Sequence, residues 1–189
     1  MKTLRLLVFT VVALAQISVP ASMIWKRQQT LNHGRLWKFR TAPVDPVDVF
    51  RGRYLTFRFA AEEFATAEPL PGGNFVYAWL KEDADGFAVV EYVSATPRDG
   101  DDVVRVESYG HYDGKARLGF PFDQLWVTEA DAPAAEQAYL AHSRREQADA
   151  YVTVRVHNGD AAIEELFIAG KPLREFLRAQ TPPAAPGRP

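Results

Sequence analysis

The stretch VTVRVHNGDAAIEELFI at residues 152–168 decides the fold class of this chain. Valine alternates with polar residues as far as His157, which is the period of a strand with one buried face. Asn158-Gly159 follows, and this pair suits a type I′ turn because both of its positions need positive φ. Ala161 to Ile168 then runs back, so the sequence predicts an antiparallel β-hairpin.

Similar patterns occur along most of the chain before this hairpin. The predicted strands are residues 36–41, 53–59, 74–80, 87–95, 103–108, 116–122 and 125–128, with 62–73 as loop. Turn residues at 83–86, 97–101 and 110–115 separate several of them. Short strands at even spacing with tight turns are typical of a compact antiparallel β-barrel or sandwich-like domain.

Two short helices are predicted inside this domain. Ala132 to Ala148 is rich in Ala, Glu and Gln, and Pro133 stands in its first turn. Pro172 to Ala179 follows the hairpin as a second helix, and residues 180–189 form a Pro-rich tail that we expect to be disordered. The predicted fold class is therefore mainly β (α+β).

The N-terminal residues 1–27 are predicted to be a membrane anchor. Leu6 to Trp25 contains no ionisable side chain, and a helix of this length spans about 30 Å, the thickness of a bilayer core. Lys26 and Arg27 close the segment, and Trp25 stands where an interfacial aromatic residue belongs. The domain organisation that follows is an anchor, an exported β-rich domain at 28–179, and the tail.

A cleaved signal peptide is the alternative for this segment. Ala13-Leu14-Ala15 offers an A-x-A cleavage site before Gln16. The apolar run continues past that site through Ile17 and Ile24, so a cleaved product would begin with an apolar tail. This continuation favours a retained anchor.

The composition excludes several classes of function. Lys plus Arg is 22 and Asp plus Glu is 24, and this balance predicts no nucleic-acid partner. The absence of Cys removes disulfides and thiolate chemistry. The four histidines, His33, His111, His142 and His157, have no metal-binding spacing, so neither a metal site nor a cofactor is predicted.

Residues 43–59, PVDPVDVFRGRYLTFRF, resemble the signature of the GDYXXLXY family, bacterial membrane-anchored proteins without an assigned activity. Gly52 and Tyr54 match the motif, whereas Arg53 replaces its Asp. Phe57 and Phe59 stand in place of its Leu and final Tyr. The residues that the motif singles out are Asp45, Pro46, Arg51, Gly52, Arg53, Tyr54, Phe57 and Phe59.

The resemblance covers roughly residues 4–175 and implies one span in the inner (cell) membrane, with the soluble domain on the periplasmic side. Genes of this family tend to lie beside genes of polytopic membrane proteins, so the resemblance also implies an integral membrane partner. We therefore expect an envelope protein that works by non-catalytic assembly with such a partner.

The motif itself has two physical interpretations. Strand alternation places Leu55, Phe57 and Phe59 on a core face and Tyr54 on the opposite face. The motif is then a loop-to-strand fold element, or it contributes Tyr54, Arg51 and Asp45 to a groove.

Two other functions are the alternatives. An envelope peptide- or ligand-binding module would line its groove with aromatic residues, of which the candidates are Trp79, Trp126, Tyr77, Tyr109 and Tyr112. A degenerate signal-peptidase-like domain would need Ser22 or Ser94 beside a desolvated lysine base. Lys81 and Lys115 are the candidate bases, but both lie at strand ends beside acidic or turn residues, so catalysis is not predicted.

Overall fold

The computed structural model describes residues 2–42, 54–66, 68–144 and 148–180. The helices are α1 (Lys2–His33), α2 (Ala132–His142) and α3 (Leu173–Gln180). The strands are β1 (Arg35–Arg40), β2 (Tyr54–Thr56), β3 (Glu63–Ala65), β4 (Asn74–Glu82), β5 (Ala88–Ser94), β6 (Val103–Tyr112), β7 (Lys115–Gly119), β8 (Gln124–Trp126), β9 (Ala150–His157), β10 (Asp160–Ile168) and β11 (Lys171–Pro172), and Ala60–Glu62 forms a 3₁₀ turn. The predicted fold class is confirmed.

The strands form a nearly closed, barrel-like arrangement of antiparallel pairs. One sheet has the order β3-β7-β6-β4-β5, a second has the order β1-β9-β10-β11, and β2 pairs with β8. Isolated bridges between Thr41 and Phe59 and between Val104 and Gly159 join these groups. The first bridge joins the residue after β1 to the segment after β2, and the second joins β6 to the β9–β10 turn.

The hairpin of β9 and β10 has the predicted geometry. Val156 pairs with Ala161, and the turn residues Asn158 and Gly159 have φ values of 49° and 83°. A bulge between Ile163 and Glu165 shifts the register by one residue. Since the inward-facing valines of β9 are fully buried, alternation and the Asn-Gly pair were sufficient to predict this element.

α1 is long and apolar enough to cross a membrane, over Arg5–His33. The apolar side chains of its N-terminal part, from Leu6 to Trp25, are exposed. A signal sequence has the same length and composition, so this observation supports a membrane-directed segment of either kind.

The C-terminal end of α1 packs on the domain without a linker. Thr30 is buried, and Lys26 Nζ lies 2.7 Å from the Asp160 carboxylate at the start of β10. A Cβ added to Gly34 would lie 2.5 Å from the Thr30 carbonyl oxygen and 2.9 Å from that of Val156. The close approach of α1 to β9 therefore depends on a glycine at this position, and the helix runs unbroken across the predicted boundary at residue 27.

Aromatic side chains fill the centre of the core. The ring centroid of Phe39, on β1, lies 5.4 Å from that of Phe120 and 5.1 Å from that of Phe122. Phe59 completes the cluster at 5.6 Å from Phe39. Residues from the motif strand, from β1 and from the segment before β8 thus meet in one buried group.

Several predicted segments differ from the structure. The strands predicted at residues 53–59 and 116–122 end earlier, at Thr56 and Gly119. Glu63–Ala65, predicted as loop, forms β3 and pairs with β7; three residues are too few for a strand period to be recognised. α2 ends at His142 instead of Ala148, because the His142 carbonyl accepts a hydrogen bond from the Asp149 N–H at 3.2 Å instead of continuing the helical pattern. The Asp149 carboxylate also lies 2.7 Å from the His142 ring, so the residues before β9 are held at the end of the helix.

Candidate interaction site beside the motif strand

The described motif residues lie on two faces of the chain. Phe57 and Phe59 are buried in the core, as is Leu55 between them and Tyr54. Tyr54 is half-buried on the opposite face, as the alternation predicts. Asp45, Pro46, Arg51, Gly52 and Arg53 lie outside the described residues, so the predicted groove with Tyr54 remains a prediction.

Tyr54 pairs across the strands with Trp126. The two residues are Cα partners in the β2–β8 ladder, and their ring centroids are 5.3 Å apart with planes at 57°. Trp126 is 67% exposed although it packs against Tyr54 on one side. An exposed indole supported by a second ring is a typical contact residue, because aromatic side chains contribute much area at little entropic cost.

Two clefts flank Trp126. The first, which we call the α3 cleft, has a volume of about 490 Å³ and lies between residues 125–128, Glu164, Glu165 and the start of α3. The second, the α1 cleft, has a volume of about 430 Å³ and lies between residues 121–124, β10 and Arg27 of α1. Trp126 lines both clefts, so it forms the wall that they share.

The clefts exist because the barrel-like sheet does not close at this point. β8 is hydrogen-bonded as a strand to β2 alone, and β10 pairs with β9 and, at its C-terminal end, with β11. No ladder joins β8 to β10, and both strands lie wholly within the described residues. Side chains therefore line an opening where backbone hydrogen bonds would otherwise complete the sheet.

The charged residues of the two clefts are mostly acidic. The carboxylates are Asp123, Asp131, Glu164 and Glu165, and the cations are Arg27 and Arg174. Glu164 is already paired with Arg155, whose Nε and Nη2 atoms both lie 3.1 Å from one carboxylate oxygen. With Glu164 paired in this way, three carboxylates and two arginines remain around the clefts, which is a small excess of negative charge.

A third, polar cleft of about 430 Å³ lies beside the motif strand. Arg58, Glu62, Tyr109, Arg117 and Asp123 line it. The Glu62 carboxylate accepts a hydrogen bond from the Phe59 N–H at 2.9 Å. Burial raises the pKa of Glu62, while that hydrogen bond and the two arginines offset part of the rise. Glu62 thus has a structural task as a cap, and this cleft mixes both signs of charge.

A buried phenol lies behind the motif strand. The Tyr139 hydroxyl makes no well-formed hydrogen bond, and burial raises the pKa of this phenol. The neighbouring Thr41 hydroxyl, which donates to the Ala150 carbonyl at 2.8 Å, offsets a small part of the rise. Tyr139 is therefore a neutral packing residue of the core.

The aromatic residues proposed for a groove do not come together. Trp79 is buried and stacks on Tyr92, with ring centroids 4.3 Å apart. Tyr112 is exposed at the β6–β7 turn, on a different sheet from Trp126. Sequence reasoning named Trp126 and Tyr54 separately but predicted neither their contact nor the clefts, because these depend on pairing between distant segments.

The lysines do not provide a catalytic base. All six, Lys2, Lys26, Lys38, Lys81, Lys115 and Lys171, are exposed. Lys81 and Lys115 face Glu91 and Glu63, respectively, at 3.5 and 2.8 Å. A lysine base needs burial among apolar groups to lower its pKa, so this structure does not favour the signal-peptidase-like interpretation. Among the described residues no group of three His, Asp or Glu side chains is placed to hold a metal ion.

The architecture defines a class: an apolar N-terminal helix that continues directly into a barrel-like β-domain. A model of the GDYXXLXY protein family matches residues 16–166, so the chain belongs to that family. No curated protein and no solved structure gives a significant match. The family membership predicted from residues 43–59 is thereby confirmed, and the function has to be argued from this chain's own geometry.

Proposed function

We propose that this protein is a single-pass, membrane-anchored envelope protein that assembles with an integral membrane partner and catalyses no reaction. α1 is its anchor in the inner membrane, and the β-domain lies on the periplasmic side. The partner binds at the end of the domain where α1 enters it.

The packing of α1 supports a retained anchor. Residues around Thr30 and Gly34 are part of the folded domain. Cleavage after Ala15 would leave exposed apolar residues from Ile17 to Trp25 attached to a folded domain. Such a product would carry an apolar patch into solution, which soluble proteins rarely tolerate.

The same packing supports a fixed orientation. α1 lies against β9 and β10 and has no linker before β1. Arg27, which lines the α1 cleft, is two positions from Trp25, so it stands about 3 Å further along the helix axis. If Trp25 lies at the membrane interface, the α1 cleft faces the bilayer surface.

One observation carries the proposal: Trp126 and Arg27 line the same cleft. This exposed aromatic residue is thereby next to the membrane-proximal end of α1. A partner within the bilayer, or a short loop of it, can reach Trp126 without extending far from the membrane. Large exposed aromatic side chains are enriched among residues that dominate protein interfaces.

Affinity isolation of the full-length protein from detergent-solubilised membranes tests this function. We expect the wild type to retain an integral membrane protein in constant ratio. Trp126→Ala should lose it, whereas the control Tyr112→Ala, also an exposed aromatic, should keep it. Absence of any integral membrane protein from the wild-type sample, or its full retention by Trp126→Ala, would contradict the proposal.

A further inference from the structure

We propose that the Tyr54–Trp126 pair, with the carboxylates around it, is a recognition site for a basic side chain, Arg or Lys, in a juxtamembrane segment of the partner. This inference rests on the proposed function and adds the chemistry of the partner segment. It also gives the motif tyrosine a task, which is to hold the indole of Trp126 in place.

The aromatic surface of Trp126 favours a cationic ligand. One face of the Trp126 indole is supported by Tyr54 at 5.3 Å, and the residue is 67% exposed. A cation is attracted to the face of an indole ring, and Trp is the best of the aromatic residues in this respect. Because Tyr54 is anchored in the β2–β8 ladder, the indole is held before a ligand arrives.

The carboxylates beside Trp126 complement the charge of a basic side chain. Asp131 and Glu165 line the α3 cleft together with Arg174, and Glu164 lines it too but is already paired with Arg155. Asp123 lines the α1 cleft together with Arg27. A basic side chain placed on Trp126 would therefore have carboxylates on both sides, which is the arrangement that binds guanidinium and ammonium groups.

A protein segment fits this site better than the lipid surface does. A tryptophan close to the membrane could instead lie among lipid headgroups. The three remaining carboxylates, Asp123, Asp131 and Glu165, disfavour that placement, because the surface of a membrane with anionic lipids would repel them. The two clefts, each several hundred cubic ångströms in volume, also offer room for side chains next to a basic residue.

The partner segment is thus expected to present a basic residue flanked by apolar ones. The basic group would lie on Trp126, and its apolar neighbours would enter the α3 cleft beside Leu125 and Leu177 and the α1 cleft beside Phe122 and Ile163.

The test uses the full-length chain in nanodiscs of zwitterionic phosphatidylcholine, without the partner. The probe is a displayed library of random ten-residue peptides. We expect selection to enrich Arg or Lys next to apolar residues. Binding of a selected peptide should weaken about tenfold in Trp126→Ala, as for one desolvated cation–π contact, and less in Trp126→Phe, which keeps a ring. It should weaken also in Asp131→Asn/Glu165→Gln and remain unchanged in Tyr112→Ala.

Several results would overturn the inference. These are no enrichment of basic residues, enrichment of acidic ones, or selected peptides that bind equally well to Trp126→Ala. Brominated lipids quench tryptophan fluorescence. Quenching that occurs in the wild type and is lost in Trp126→Phe would place Trp126 in the bilayer instead. The peptide test does not involve the partner, so it can fail while affinity isolation still recovers an integral membrane protein, and the two failures are distinguishable.

Discussion

The ring of Phe57 meets the ring of Tyr139 edge to face, with centroids 5.1 Å apart and planes at 87°. Both side chains are almost completely buried. The Phe57 N–H also donates to the Asp123 carbonyl at 2.8 Å, which ties the end of β2 to the segment before β8. The motif strand is therefore fixed to α2 by a side chain and to the β8 segment by its backbone.

Truncation of Phe57 should be among the most damaging changes in the domain. We expect Phe57→Ala to lower the free energy of unfolding by about 3–5 kcal/mol, because it leaves a cavity against Tyr139. Tyr54→Phe should lower it by about 1 kcal/mol or less, since one hydroxyl on a half-buried ring is removed. Urea unfolding followed by circular dichroism measures both values.

Phe75→Ala is the matched control for this truncation, because the Phe75 ring is 57% exposed. Its effect should stay at about 1 kcal/mol or below, including loss of its contact with Arg105. A larger effect for Tyr54→Phe than for Phe57→Ala would show that the assigned strand phase is wrong.

Gly34 should be intolerant of even a methyl group. Gly34→Ala would place a Cβ against two backbone carbonyl oxygens, which cannot move independently of α1 and β9. We expect a loss of about 1–3 kcal/mol, typical of overpacking. Gly100→Ala is the control, since the closest atom there is a carboxylate oxygen of the Asp102 side chain, which can rotate away. Equal stability of the two variants would argue against close packing of the α1 end.

Glu62 and its neighbour Glu63 should affect the pH dependence of stability with opposite signs. Burial raises the pKa of Glu62, so the folded state binds its proton more tightly than the unfolded state does. Stability then falls as the pH rises from the ordinary value of 4.5 through the raised pKa. Glu62→Gln removes this loss, so the variant should gain relative to the wild type as the pH rises above 4.5.

Glu63, the next residue and the first of β3, provides the comparison. The hydrogen bond from Lys115 lowers the pKa of Glu63, so its contribution is present above the ordinary value of 4.5 and is lost as the pH falls through the lowered pKa. Glu63→Gln should therefore fall behind the wild type at neutral pH and approach it in acid. Unfolding curves of the wild type, Glu62→Gln and Glu63→Gln at several pH values test these opposite effects. Parallel pH profiles for the two variants would contradict the assigned directions of the two pKa shifts.

The N-terminal segment should remain attached to the mature protein. We expect intact mass spectrometry of membrane-extracted protein to find species that include residues before Gln16. The physical reason is that the same helix carries the apolar segment and the buried contact of Thr30. Recovery of a protein that begins at Gln16 from the soluble fraction would overturn the anchor.

Local chemistry explains which elements could be predicted from the sequence. The β9–β10 hairpin was predictable because the valine alternation and the Asn158-Gly159 turn lie within one short stretch. β3 was not, because its three residues become a strand only by pairing with β7. The sequence predicted too late an end for α2 because Ala, Glu and Gln favour continuation, whereas the contact between His142 and Asp149 that accompanies the helix end has no local pattern.

The candidate site also depends on pairing between distant segments, which local sequence patterns do not predict. Alternation placed Tyr54 on the outer face of the motif strand, and the composition marked Trp126 as a possible contact residue. Their pairing results from the β2–β8 register, and the clefts result from the missing ladder between β8 and β10. Neither feature has a local sequence pattern, so the site emerged only from the three-dimensional structure.

The direct junction at Gly34 makes α1 a lever for the whole domain. Transmembrane helices commonly tilt by about 20°, and a change of that size moves a point about 30 Å from the pivot by about 10 Å. Because Thr30, Lys26 and Gly34 hold α1 to β9 and β10, the domain must rotate with the helix as one body. In the proposed membrane-anchored state, a thinner bilayer or a bound partner that alters the tilt would thereby move the far sheet sideways, and a flexible insertion after His33 would abolish that transmission.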